Sequence, residues 1–201
     1  MNPVIVFCLL LMERMALVML VVYLLSKRRA FKKVFRSTGT IYDNVGIVII
    51  FSVLAIYGTL RGIPVSGAIA NIRDLGPMMA GILGGPIIGG LTGVIAAIHR
   101  YSQGGFTAIP CPIATIFAGV LAGLLSKKFK PGAAYYSRAI FLGVVVELVH
   151  MSLILAIARP LSEAIHLVEQ IAIPMVAANT LGVLIFLYIL KEQNHWETNS
   201  S

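Results

Sequence analysis

Residues 71–123 read NIRDLGPMMAGILGGPIIGGLTGVIAAIHRYSQGGFTAIPCPIATIFAGVLAG, a glycine-dense apolar stretch bracketed by arginines. Gly81, Gly85, Gly89 and Gly93 recur every four residues, and Pro77 and Ala97 extend the row. On a helix this spacing strips side-chain bulk from one face and lets another backbone approach closely. Arg73 and Arg100 flank the strip close to hydrocarbon, where an unpaired charge costs ~2.5–3.5 kcal/mol or more. Arginines kept at that cost point to a use, and the simplest is to hold an anion.

Outward from this stretch, the 201-residue chain is 58% hydrophobic with a mean hydropathy of +0.92. Several runs approach the roughly 20 apolar residues that cross a bilayer. The expected fold is all-α, a polytopic integral membrane helical bundle of six segments at 4–25, 41–60, 75–98, 108–125, 139–158 and 165–190. Residues 1–190 are read as one transmembrane domain in the cell (inner) membrane, and 191–201 as a polar, loose tail. The first segment is too long and too interrupted by charge for a signal peptide.

The net charge of +8 does not indicate nucleic acid, because ten of the sixteen Lys and Arg lie in two short stretches. These are Lys27, Arg28, Arg29, Lys32, Lys33 and Arg36, and Lys127, Lys128, Lys130 and Arg138. Such stretches belong on the cytoplasmic face. Three apolar segments separate them, however, which places them on opposite sides. Two features offer relief. Residues 61–74 (RGIPVSGAIANIRD) read as a re-entrant or added short crossing lined by protein. Gly84-Gly85-Pro86 breaks the third segment, since proline removes a helical donor. Discontinuous helices commonly build ligand sites in membrane proteins.

Around Arg100 cluster His99, Tyr101, Ser102, Gln103, Gly104-Gly105 and Thr107, followed by Ile109-Pro110-Cys111-Pro112 at the start of the fourth segment. Prolines suit the first turn of a helix, whose free N–H groups favour anions. Two planar guanidinium forks and a helix start are enough for a small carboxylate. The competing use is structural, with Arg73 paired to Asp74 or another carboxylate and Arg100 reaching toward headgroups. Glu147…His150 and Glu163…His166 repeat the Glu-x-x-His spacing of bundle di-metal sites, but the carboxylates left to complete one are only Glu13 and Asp74. No metal or cofactor is expected. Glu13-Arg14 interrupts the first segment, and its members point to different faces, with Glu147 as one partner for Arg14. Asn179 reads as interhelical glue. Cys8 and Cys111 have no ligand or disulfide spacing. Catalytic motifs are absent, so no enzyme is expected.

Residues 9–190 resemble the multi-span membrane domain of LytS-type sensor histidine kinases. The resemblance is carried by Leu11-Met12-Glu13-Arg14, Asn71-Ile72-Arg73, Ala80–Pro86, His99-Arg100 with Gly104-Gly105, Glu147–Met151, and Ile173-Pro174-Met175 with Asn179 and Gly182. It implies a receptor for a small extracytoplasmic ligand that signals to a cytoplasmic kinase module or partner, working as a homodimer. In the pyruvate-responsive branch two arginines and a cysteine line the pocket, and they look like Arg73, Arg100 and Cys111 here. Asn71, Ser102 and Thr107 are expected beside them. A serine of that branch is replaced by Ala114. Ligand binding is expected to shift the glycine-faced third segment, and the last segment to carry the shift inward. The alternative is a substrate-binding membrane subunit or small transporter, similar to the binding subunits of vitamin importers.

Overall fold

The computed structural model describes residues 3–35, 38–129 and 134–198. Seven helices follow one another: α1 (Pro3–Ser26), α2 (Arg29–Phe35), α3 (Ile41–Leu60), α4 (Leu75–Ser102), α5 (Pro110–Leu124), α6 (Tyr135–Ile157) and α7 (Leu161–Thr198). A two-stranded hairpin, β1 (Ile63–Val65) and β2 (Ala68–Ala70), joins α3 to α4. Five helices (α1, α3, α4, α6 and α7) are long and apolar enough to cross a membrane. With 15 residues, α5 is about 22 Å long, short of the ~30 Å hydrocarbon core. The bundle is a polytopic helical membrane domain. Ile5, Leu9, Leu20 and Leu24 on α1, Ile49 on α3, Ile87 and Ile98 on α4, and Phe141 and Leu148 on α6 are exposed. On a soluble domain such a surface would aggregate, but against lipid it is at rest.

Residues 61–74 do not form a helical crossing. Ile63 pairs with Ala70 and Val65 with Ala68 in an antiparallel register, closed by Ser66-Gly67. Apart from the exposed Pro64 the strand residues are β-branched or alanine, and their alternate side chains are buried.

The topological conflict in the sequence is resolved inside α4. Gly85 has φ 84° and ψ −175°, a region open essentially to glycine, and Pro86 follows with no N–H to offer the preceding turn. The helix reverses there into two arms, 75–84 and 86–102. A methyl group on Gly89 would lie 2.7 Å from Gly81 Cα, although a continuous helix would hold these residues about 12 Å apart. α5 lies against both arms. Gly119 meets Pro77, Gly123 meets Pro86, and Gly93 meets Ile116, so α5 runs parallel to the first arm and antiparallel to the second. The four-residue glycine row is thus divided: Gly85 makes the turn, while Gly81 and Gly89 face each other across the arms with the Gly119 carbonyl between them. A methyl on Gly89 would come within 2.2 Å of that carbonyl oxygen.

The reversal returns the chain to its starting face before α5 begins. Val34, Gly39, Asn44, the Gly84–Pro86 tip, Ser126, Lys127 and Phe129 line one cavity, so both basic stretches share a face. Arg36 and Lys130 lie outside the described residues. At the opposite end the hairpin meets the loop after α4, with Gly67 against Phe106 and Gly105. α7 starts there, where Gln170 donates to Ser66 Oγ at 3.5 Å.

α3 opens with a reciprocal cap in which Thr40 N donates to Asp43 Oδ2 (2.9 Å) and Asp43 N to Thr40 Oγ1 (3.3 Å). Phe31, Phe51 and Phe186 knit α2, α3 and α7 at centroid distances of 6.3–6.5 Å. α7 continues past Leu190 to Thr198, so the polar residues after 190 prolong the helix; 199–201 lie outside the described residues. α1 packs on α7. Glu147 stands on α6, and its ionic neighbour is His150 rather than Arg14. Glu13 points outward on α1.

Candidate functional site

In a straight 28-residue helix, Arg73 and Arg100 would stand about 40 Å apart. The reversal at Gly85 brings both ends of α4 to the hairpin side, and both arginines are completely buried. The turn out of β2 is tied by Asn71, whose Nδ2 donates to Ile69 O (2.7 Å) while its Oδ1 accepts from Arg73 N (3.0 Å). This fixes the direction in which Arg73 enters the bundle. Arg73 Nε donates to Thr115 Oγ1 (2.6 Å) on α5 and lies 3.5 Å from Asp74 Oδ1; Nη2 reaches Cys111 O (3.4 Å). Asp74 precedes α4 without capping it, and its side chain turns into the bundle, with Oδ1 2.7 Å from Thr115 Oγ1.

Arg100 is held from the loop below it. Gly104 and Gly105 both take positive φ (66° and 85°), which folds the chain back so that Gly104 O accepts from Arg100 Nη1 at 2.8 Å. Thr107 Oγ1 accepts from Nη2 at 2.8 Å. Cys111 then follows in the first turn of α5, buried, with Arg73, Arg100 and His150 within electrostatic reach of its sulfur.

α6 contributes the far wall. His150 Nε2 lies 3.2 Å from Cys111 Sγ, and its Nδ1 lies 3.0 Å from Asp74 Oδ2 and 3.7 Å from Glu147 Oε2. From α7, Asn179 Nδ2 donates to Met175 O (3.1 Å) and toward Asn71 O (3.5 Å), which binds the last helix to the Asn71 turn. Gly182 of α7 lies against Leu75.

Not every buried polar group in this cluster is satisfied. Arg73 Nη1, Arg100 Nε and both Glu147 oxygens lack hydrogen-bond partners among the described residues. Buried donors are rarely left open, so an unpartnered nitrogen on each of two buried guanidiniums marks a need for an acceptor.

Of the residues singled out from sequence, Asn71, Arg73, Arg100, Thr107 and Cys111 come together. Ser102 does not: its hydroxyl donates to His99 O (2.7 Å) on the exposed side. Thr115, Asp74, His150 and Glu147 join the cluster, and none of them was assigned to an anion site from sequence. The signals were present, because Thr115 stands one turn after Cys111 and Glu147-x-x-His150 lies mid-helix. Asp74, Glu147 and His150 offer donor atoms within 4.8 Å of one another. The second Glu-x-x-His pair stays apart, with Glu163 and His166 exposed at the start of α7. The di-metal pattern is therefore not assembled, and Arg73 already supplies positive charge to Asp74.

Residues 28–193 match the family model 5TM-5TMR_LYT, described as the 5TMR of 5TMR-LYT. The sensor histidine kinase BtsS of Escherichia coli K12 is 38% identical over 198 residues, covering 92% of this chain and 34% of that protein. The sensor histidine kinase YpdA of the same strain is 35% identical over 179 residues (87% and 32%). The sensor protein LytS of Bacillus subtilis 168 is 32% identical over 199 residues (90% and 34%). No solved structure gives a significant match. The chain thus spans about a third of the length of these relatives. With five long apolar helices, a match over most of its length and relatives named as sensor histidine kinases or sensor proteins, the chain belongs to the 5TMR-LYT family and is a multi-pass inner-membrane sensor domain of the LytS type.

Proposed function

We propose that this domain binds a small carboxylate such as pyruvate between Arg73 and Arg100 and relays its occupancy to a cytoplasmic histidine kinase module or partner. The observation that carries the reading is the pair of fully buried guanidiniums, brought to one end of the bundle by the Gly85 reversal, each with one nitrogen unpartnered among the described residues. A carboxylate accepts from both and removes two open donors at once. The adjoining α5 N-terminus adds its dipole. By the positive-inside rule the basic face is cytoplasmic, so the site lies toward the other face, beneath the hairpin.

Ala114 stands where the pyruvate-responsive branch has serine. Thr115, the next residue on α5, carries the hydroxyl that meets Arg73 and Asp74. Output runs through α7. Its Asn179 reaches Asn71 O in the turn that holds Arg73, its Gly182 lies against Leu75 at the start of α4, and its far end lies beside the start of α6 on the basic face, where a kinase module would receive it.

The test is a thermal-shift titration of detergent-purified protein with pyruvate, lactate, acetate and phosphate. Ligand at a hundred times its Kd stabilises by about 2.7 kcal/mol. A carboxylate-specific rise in Tm, lost in Arg73→Ala and in Arg100→Ala, is expected. A rise that survives both substitutions, or none with any carboxylate, overturns the reading.

A further inference from the structure

Cys111, His150 and Asp74 form a line that anion binding alone does not require. Three helical elements converge to make it: Cys111 comes from the first turn of α5, His150 from the middle of α6, and Asp74 from the residue before α4. The sulfur is 3.2 Å from Nε2, and Nδ1 is 3.0 Å from Asp74 Oδ2. All three side chains are at least 96% buried. A carboxylate beside Nδ1 fixes that nitrogen as the protonated one and leaves Nε2 as acceptor for the thiol proton. A nucleophile, a base and a group orienting the base are the parts of an activated thiol. The Asp74–His150 contact is close without being aligned into a full hydrogen bond, as acid–base pairs often are before a ligand arrives.

We infer that Cys111 is a nucleophile that adds reversibly to the carbonyl carbon of a small α-keto acid held by the two arginines. The inference rests on the carboxylate reading above and goes beyond it. With the carboxylate on the guanidiniums, the adjacent carbonyl carbon is placed toward the sulfur. The thiol proton passes to His150 Nε2. A sulfur lone pair forms the S–C bond, and the carbonyl π pair moves onto oxygen. The imidazolium returns its proton to that oxygen, which leaves a neutral hemithioketal. Nothing is oxidised, no group departs, and the reverse path releases the ligand unchanged, as a sensor requires. The chemistry also gives the site a selection rule: a hydroxy acid or a simple carboxylate satisfies the arginines but offers no electrophile.

The experiment is carbon-13 NMR of the detergent-purified domain with pyruvate labelled at C2, run beside the thermal-shift titration. The expected result is a bound resonance in the tetrahedral-carbon region, upfield of the free gem-diol, absent from Cys111→Ala and weakened in His150→Gln. Pyruvate is further expected to outbind lactate by at least about tenfold in the wild type, a margin that falls to about twofold or less in Cys111→Ala. If pyruvate shifts the Tm but its bound C2 remains a carbonyl, the covalent step is overturned and the arginine clamp stands. If pyruvate produces neither shift nor bound resonance, both are overturned. The wild-type spectrum decides the matter even if a variant fails to fold.

Discussion

Arg73 and Asp74 are neighbours in sequence, yet their side chains serve the site together only because Thr115 and His150 come in from two other helices. Asp74 is the only carboxylate in the cluster with a hydrogen-bonded oxygen, through Thr115, and it lies 3.5 Å from Arg73 and 3.0 Å from His150. Glu147 is just as buried, but neither of its oxygens has a hydrogen-bond partner among the described residues. The two should therefore respond in opposite ways to loss of the carboxyl. Asp74→Ala strands a buried guanidinium and is expected to cost about 3–5 kcal/mol. Glu147→Gln replaces a buried carboxyl that has no hydrogen-bond partner among the described residues with a neutral amide of the same shape, and is expected to leave the unfolding midpoint unchanged or raise it. Thermal unfolding of the ligand-free protein reads both; a large loss in Glu147→Gln would show that its carboxylate is an anchor. At this scale the sequence was informative where energy alone marks a residue. Arginines beside hydrocarbon are costly wherever the chain goes, so Arg73 and Arg100 stood out unaided. Thr115 and His150 did not, because their meaning lies in distances across helices, and Ser102 misled because proximity in sequence to Arg100 says nothing about which side of the helix it occupies.

α4 shows how one residue decides what a helix is. Periodicity read the 81–93 glycines as a single strip, and the spacing is real, but half of it faces the other half across a reversal. Gly84-Gly85-Pro86 was legible as a break. Its angle was not, because a proline break permits anything from a slight kink to a full turn, and only the close approach of Gly81, Gly89 and Gly119 selects the turn. The glycines are accordingly not equivalent. At Gly85 a methyl meets nothing within 4 Å, so Gly85→Ala is penalised by backbone conformation alone, about 1–3 kcal/mol. Gly89→Ala drives a methyl into two backbones and is expected to abolish folding. Gly46→Ala, in open space on α3, should be neutral or stabilising by up to about 1 kcal/mol. Unfolding midpoints of the three variants test the order 89, 85, 46; comparable losses at 85 and 89 would mean that the arms are not packed as described. The hairpin at 63–70 was missed for a related reason. Its strands are three residues each, too short for a period-two pattern to emerge from an apolar background.

For the whole molecule, the reversal in α4 decides which face each loop occupies, and with it the direction of the proposed relay. A continuous crossing by α4 would set Lys27–Lys33 and Lys127–Lys128 on opposite sides of the bilayer, against the positive-inside rule. With α4 folded back they share one face, which the positive-inside rule assigns to the cytoplasm together with the end of α7, and the hairpin and the Gly104–Thr107 loop are then expected outside. Single cysteines placed in a Cys8→Ser background separate the two arrangements, with buried Cys111 as the internal control. Thr38→Cys and Lys127→Cys, both at exposed positions, are expected to react with a membrane-impermeant maleimide only in inside-out vesicles. Ser66→Cys, at the exposed hairpin tip, is expected to react only in right-side-out vesicles. Labelling of positions 38 and 127 from opposite sides would restore α4 as a single crossing. It would also carry Arg73 and Arg100 to opposite faces, and no small ligand could then bridge them. The sidedness of these three cysteines thus tests the premise on which the site's chemistry depends.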